Sequence, residues 1–259
     1  MTESVDELDA SRAPLLDHLI ELRRRLLWSI AALVVAFGAC LYVARDILRL
    51  LVAPLHMAGQ TELINTDVYG GFLVEVKVAF FAGMMLAFPV IANQIWRFVA
   101  PGLYRKEKRA LLPFLVATPV LFAAGAALAY FIAVPMALKF LLGFQGDLGG
   151  VTQRALPDVN SYLKFVMQFL FGFGLAFLLP VLLMLLEAAG IVTRTQLVAA
   201  RRYAIVANFA VAALLTPPDV GSMLLLALPL VLLYELALIG IRFTERSRAK
   251  EAAKVLVEG

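Results

Sequence analysis

Charge, histidine and cysteine are all scarce in this chain of 259 residues. Only 16% of its residues are charged and 62% are hydrophobic, with a mean hydropathy of +0.88; soluble domains run at about 25% charged and about 45 to 50% apolar. That shortage excludes an ordinary water-exposed fold and leaves a membrane protein. The lone cysteine, Cys40, has no partner, so neither an intrachain disulfide nor a cysteine-based metal centre is possible. The two histidines, His18 and His56, lie far apart and form no HExxH pair for zinc hydrolysis, and a Ser–His nucleophile meets the same shortage. No GxxxxGK[ST] loop is present to hold a nucleotide. Every aspartate falls outside the apolar runs, where an intramembrane aspartyl protease would need two inside. The chain is expected to catalyse no covalent reaction and to carry no cofactor or metal, so any work it does draws on a partner or on the membrane potential.

What the chain has instead is long apolar runs. A hydrocarbon core of ~30 Å needs about 20 apolar residues at 1.5 Å each, and the pattern predicts six helical spans at 26–44, 75–97, 110–138, 162–187, 203–217 and 220–241. Solid runs are not the alternating ten-residue segments of a transmembrane β-barrel. The expected fold is therefore an all-α integral membrane protein forming one domain over 1–259. The fifth span, bounded by Arg202 and Pro217, reaches only ~24 Å, short of the core, and local bilayer thinning is one way to meet that mismatch.

Lys and Arg set the orientation, because cytoplasmic segments hold the excess. The N-terminal arm has Arg12, Arg23, Arg24 and Arg25; the next segment on that side has Arg97, Arg105, Lys106, Lys108 and Arg109. Arg194, Arg201 and Arg202 follow, and the tail over 242–259 adds Arg242, Arg246, Arg248, Lys250 and Lys254. These are seventeen of the 23 basic residues, so both termini are expected in the cytoplasm. On this topology His18 and His56 face opposite sides. Basic residues interleaved with apolar spans, without aromatic platforms, argue against nucleic acid as a partner. The arm over 1–25 carries Glu3, Asp6, Glu7, Asp9 and Asp17, the wrong charge for a cleaved signal peptide. Its Leu15, Leu16, Leu19, Ile20 and Leu22 share one face, so it reads as an amphipathic segment at the interface that then turns into the membrane.

Proline is placed as a shaping element. Pro89, Pro113, Pro119, Pro135, Pro180 and Pro229 fall within or at the edges of spans, where each removes a backbone donor and favours a bend. Bent helices suit a concave wall, although proline is also commoner in membrane helices generally. Pro54 and Gly59 interrupt the first far-side connection, whose Ile47, Leu48, Leu50, Leu51 and Val52 predict a short helix on the membrane. Lys77 and Lys164, at far-side span starts, read as snorkelling residues. Glu235 reads as half of a structural ion pair with Arg201, Arg202 or Arg242.

Four segments are more specific. They are His18-Leu19-Ile20-Glu21-Leu22-Arg23-Arg24-Arg25; Phe88-Pro89 followed by Gln94-Ile95-Trp96-Arg97-Phe98 and Pro101-Gly102-Leu103-Tyr104-Arg105-Lys106-Glu107; Phe171-Gly172-Phe173-Gly174 leading to Phe177 and Pro180; and Arg201-Arg202-Tyr203 with Thr216-Pro217-Pro218-Asp219 and Pro229 to Glu235. In this order and on six spans they closely resemble the TatC family, the multi-spanning subunit of the twin-arginine protein translocase, over roughly 15–243. The resemblance implies a glove-like six-helix bundle in the cell (inner) membrane. It also implies Sec-independent transport of folded proteins driven by the proton-motive force, and an oligomeric complex with the single-span partners TatA and TatB. Recognition of twin-arginine signal peptides is implied for the arm and the first cytoplasmic loop, here Glu21, Arg23, Phe98, Pro101, Leu103, Tyr104 and Glu107.

The residue chemistry is compatible with that role. A pair of guanidinium groups favours bidentate carboxylates, and Glu107 is the only carboxylate of an otherwise basic loop, while Glu21 sits on the amphipathic arm. The simpler alternatives are an i,i+4 pair of Glu21 with Arg25, worth ~0.2 to 0.5 kcal/mol, and a solvated pairing of Glu107 with neighbouring Lys106, Lys108 or Arg109. For the partners' membrane helices the resemblance implies Phe173, Phe177, Leu178, Thr216, Pro217, Asp219 and Met223, and Asn208 is a further polar contact within the fifth span. TatC proteins often carry polar residues where this chain has Leu178 and Met223, so partner docking is expected to lean on shape. Two other readings are a secondary transporter, against which stand few midplane polar groups and no visible repeat, and a membrane assembly scaffold without a translocation role.

Overall fold

The computed structural model describes the backbone over 3–60, 62–65, 68–103, 112–147, 152–153, 156–188, 190–216 and 220–258, with side chains over 19–60, 62–65, 68–98, 115–145, 156–188, 190–216 and 220–245. Helices dominate: α1 (Glu3–Tyr42), α2 (Ala44–Met57), α3 (Gly70–Leu103), α4 (Leu112–Leu128), α5 (Val134–Leu142), α6 (Val159–Ala176), α7 (Leu179–Ala188), α8 (Arg194–Ala199), α9 (Arg201–Leu215) and α10 (Val220–Glu258). A short antiparallel ribbon, β1 (Gly146–Asp147) with β2 (Thr152–Gln153), and an isolated parallel bridge between Ile64 and Asp158 depart from all-α among the described residues.

Five described segments are long and apolar enough to cross a bilayer: Leu19–Tyr42, Gly70–Phe98, Leu115–Leu142, Val159–Ala188 and Val220–Glu245. α9, the fifth predicted span, has 15 residues and rises only ~22 Å. It packs along α10 as a sixth helix, shorter than a hydrocarbon core. α1 runs without interruption through residue 25, so the arm and the first span share one rod. α10 likewise continues beyond the apolar segment to Glu258.

Proline accounts for the bends. Pro180 has no N–H for the Ala176 carbonyl, and the helix there tightens into a turn in which the Leu178 amide bonds the Leu175 carbonyl at 3.0 Å before α7 resumes. The fourth span is thus two helices, α6 and α7, joined at Phe177–Leu178. In the third span Pro135 leaves the Phe131 carbonyl without its usual donor, and the chain widens into a π turn over Ala129–Ala133 between α4 and α5. Pro89 lies within α3, and α3 remains helical through it.

α1 and α3 pair antiparallel: Arg25 meets Gln94 and Phe37 meets Phe80 at 6.1 Å between ring centroids, and just past α1, at the start of α2, Arg45 meets Glu75 of α3 at 2.9 Å. Glycine permits the approach, because a Cβ on Gly83 would stand 2.8 Å from the Phe37 backbone. α4 and α6 use the same device at Gly125, where a Cβ would stand 2.5 Å from the Phe173 carbonyl oxygen. Phe122 fills the space beside them, stacked on Phe88 and edge-on to Phe171. The main core gathers Val78, Ala133, Val134, Val166, Phe169, Phe173, Leu226 and Leu230 from four spans.

α2 closes the end of the bundle opposite the arm. Its Leu51 and Leu55 are buried in the main core, and its i,i+4 apolar face is what the alternation of Leu with Arg45, Asp46 and Arg49 predicts. Pro54 sits inside this helix and cannot donate to the Leu50 carbonyl. Tyr130, from the π turn, donates its phenol to that carbonyl at 2.7 Å, and Tyr162 of α6 donates to the neighbouring Leu51 carbonyl at 2.8 Å. The two connections at this end are tied as well: the Val159 amide bonds the Ile64 carbonyl at 3.0 Å, and Asp158 caps α6 by accepting from the Ser161 amide.

Candidate functional site

At the arm end, α1 presents Glu21 and Arg25 one turn apart. Arg25 Nη2 engages Glu21 Oε1 as an ion pair, while Arg25 Nη1 reaches the Gln94 carbonyl of α3 at 3.4 Å. The i,i+4 pair expected of Glu21 therefore exists, and the same arginine moors it to α3. Among the described residues no other group engages Glu21, so its second carboxylate oxygen, Oε2, retains acceptor capacity. Arg23 is exposed on the same turn. Trp96, two residues beyond Gln94, donates its indole N–H to the buried Thr118 hydroxyl of α4 at 2.7 Å, which pins this end of α3 to α4. Phe98 is half-buried just past that anchor. Pro101 and Leu103 belong to the last turn of α3, their side chains outside the described residues; Tyr104 and Glu107 lie outside the described residues altogether.

The second set of expected residues is dispersed between core and surface. Phe173 is fully buried and Phe177 nearly so, both against α4, so they shape α6 rather than face outward. Leu178 and Met223 are half-buried. Thr216 is buried and donates its hydroxyl to the Ala212 carbonyl at 2.8 Å, ending α9. Asn208 is 5% exposed on α9, and its amide nitrogen meets no acceptor within the described chain, a costly state for a buried donor. Pro217 and Asp219 lie outside the described residues.

The structural set is explicit. Glu235 Oε2 accepts from Arg201 Nη2 at 2.8 Å, joining α9 to α10, and Tyr234 donates to the Leu197 carbonyl at 2.7 Å, joining α10 to α8. Pro54 is buried inside the unbroken α2, Pro180 is buried just after the break at Phe177–Leu178, and Pro89 is exposed on α3. Sequence reasoning missed the Tyr130 and Tyr162 bonds to α2, the Arg25–Gln94 mooring and the Trp96–Thr118 anchor. Only the first left a trace, in the orphan carbonyl that a helical Pro54 implies four residues upstream.

A bundle of apolar helices, five of whose described segments are long enough to cross a bilayer, defines a multi-pass helical membrane protein. The model of the TatC family, described as Sec-independent protein translocase protein, matches residues 17–229. A Sec-independent protein translocase protein TatC from Magnetococcus marinus is 46% identical over 93% of this chain and 89% of its own length, and the Escherichia coli protein of the same name is 42% identical over 89% and 88%. Among solved structures, a crystal structure of the twin arginine translocase receptor TatC superposes with a TM-score of 0.73 at 39% identity, covering 86% of this chain and 98% of that one. The chain belongs to the TatC family.

Proposed function

We propose that this chain reads twin-arginine signal peptides for a Sec-independent protein translocase and gathers the single-span partners TatA and TatB around itself in an oligomeric complex. Six helices form a cupped bundle in the inner membrane with both termini in the cytoplasm, and folded passengers move at the expense of the proton-motive force. The subunit works by position and charge, without covalent chemistry or a cofactor. Family membership supports the transport role, and the mooring of Glu21 through Arg25 to the Gln94 carbonyl is the observation that carries the reading of the site. A carboxylate fixed on two helices, with one oxygen left to accept among the described residues, presents a ready partner for a guanidinium donor arriving from the cytoplasm. Glu107 supplies the second carboxylate, and Arg23, Phe98, Pro101, Leu103 and Tyr104 line the path of the peptide behind its arginines. Partner helices dock along α6, α9 and α10 near Asn208, Thr216, Pro217, Asp219 and Met223, with Phe173, Phe177 and Leu178 setting the shape of α6; the unpaired Asn208 amide supports this placement.

Photo-crosslinking of a twin-arginine peptide to the purified full-length protein tests the reading. Glu21→Gln and Glu107→Gln each weaken capture about tenfold, as expected for loss of one charge-assisted hydrogen bond, and Glu107→Arg weakens it further, with the protein still monodisperse. Equal yields from parent and variants would remove both carboxylates from the site. Export of a folded twin-arginine reporter in a strain lacking its own TatC separates this function from a transporter or an inert scaffold.

A further inference from the structure

At the end of the bundle that holds α2, a cleft of about 290 Å³ opens between α3 and α6. Asn160, Leu163, Lys164 and Met167 of α6 recur at i, i+3, i+4 and i+7 and so form one stripe along it, and Val74 and Lys77 of α3 form the facing wall. The lining is mixed: Ser161, Lys77 and Lys164 are exposed, Asn160 and Met167 half-buried, and Val74 and Leu163 buried. Lys77 Nζ donates to the Asn160 amide oxygen at 3.0 Å, a neutral acceptor reached across the two helices. Among the described residues neither lysine has a carboxylate partner, and the acids nearby are engaged elsewhere: Glu75 with Arg45 at 2.9 Å, and Asp158 with the Ser161 amide and hydroxyl. Two ammonium groups lining one cleft, without a carboxylate partner among the described residues, repel, and they lie near the starts of two segments long and apolar enough to cross a membrane, Gly70–Phe98 and Val159–Ala188.

We infer that this cleft is a binding site for an anionic phospholipid of the leaflet opposite the arm, with the phosphate between Lys77 and Lys164 and the glycerol and upper acyl chain against Val74, Leu163 and Met167. Snorkelling alone places a lysine near a span end but gives no reason for two on facing helices that line one cleft with the buried Val74 and Leu163. A lining that joins exposed ammonium groups to buried apolar side chains matches a molecule that is charged at one end and apolar at the other, and a soluble anion would gain nothing from Met167. An occupant here bridges α3 and α6, so it also braces the end of the bundle to which α2 is attached.

The test uses the full-length protein in nanodiscs. A photoactivatable phosphatidylglycerol labels the segment spanning 159–168, and a phosphatidylcholine analogue does so far more weakly. Each basic side chain near the membrane surface is worth about fivefold in binding an anionic lipid, so Lys77→Gln with Lys164→Gln lowers phosphatidylglycerol labelling of this segment about thirtyfold, while the double Lys→Arg variant retains it. Equal labelling by the two lipids overturns the proposal, as does unchanged labelling in the double Gln variant. An excess of inorganic phosphate leaves the labelling unaltered; displacement by it would reassign the cleft to a soluble anion and overturn the lipid. Should the double Gln variant fail to fold, the lipid comparison on the unsubstituted protein decides alone.

Discussion

The first and fourth spans, Leu19–Tyr42 of α1 and Val159–Ala188 of α6–α7, are both apolar enough to cross a membrane, yet the molecule uses them in opposite ways. In the most apolar stretch of the α1 span 11% of residues are buried inside the protein, against 50% for the span over Val159–Ala188. α1 leans chiefly on α3 and shows Leu26, Leu27, Trp28, Val34 and Val35 to its surroundings, whereas α6 is wedged among α3, α4 and α9 with Phe169 and Phe173 enclosed. In a bilayer, apolarity does not mark the interior, because lipid tails solvate leucine as well as another helix does. Small residues that allow close approach mark it instead. A Cβ on Gly174 of α6 would stand 2.6 Å from the Phe122 ring, while one on Gly38 of α1 would meet nothing within 4 Å.

The largest effect should come from closing that approach where the obstacle is backbone. Gly125→Ala sets a methyl 2.5 Å from the Phe173 carbonyl oxygen, which cannot rotate aside as a side chain does, and α4 must part from α6. We expect a loss of about 3 kcal/mol, the upper part of the range for overpacking, read as a lower midpoint of thermal aggregation in detergent. An unchanged midpoint would mean that the α4–α6 contact is not the fixed centre of the bundle.

Smaller losses should follow from the phenols that hold α2 to the buried span. Tyr162→Phe removes a buried donor from the Leu51 carbonyl and is expected to cost about 1 to 1.5 kcal/mol. Tyr130→Phe strips the Leu50 carbonyl of the donor that replaces the missing N–H of Pro54, at a cost of about 1 kcal/mol because this bond is reached by solvent. The two residues should therefore be coupled: in a Pro54→Ala background the helix supplies its own donor to Leu50, and the cost of Tyr130→Phe falls. Additive effects in the double-mutant cycle would show that the phenol and the proline act independently.

Much of this architecture was legible from the order of residues. Run length alone predicts spans at 26–44, 75–97 and 220–241, since ~20 apolar residues leave a helix no other stable environment, and the apolar helical segments Leu19–Tyr42, Gly70–Phe98 and Val220–Glu245 run over the same stretches. It also exposed α9 as too short. The π turn and the break at Phe177–Leu178 were foreshadowed only as bends, because a proline announces a lost hydrogen bond without saying whether the helix will widen or tighten. At the arm end the pairing of Glu21 with Arg25 follows from i,i+4 spacing, but the reach of Arg25 to Gln94 depends on how α1 and α3 are registered, and that register is set by Gly83 against Phe37, a contact between residues 46 positions apart in the chain. Glycine in an apolar run does not name its neighbour. Only packing does.

The smallest effect is expected on the exposed helix, and it is the sharpest check on the contrast. Gly38 lies in α1 with open space where its Cβ would be, so Gly38→Ala introduces no clash and removes the conformational freedom that makes glycine about 1 kcal/mol poorer than alanine in a helix interior. The thermal midpoint should stay level or rise slightly, in the opposite direction to Gly125→Ala although the chemical change is the same single methyl. A clear loss of stability at Gly38 would mean that α1 is covered in the working protein by something other than lipid, such as a partner helix or another copy of the chain. That outcome would move the first span from the solvated edge of the assembly to one of its joints.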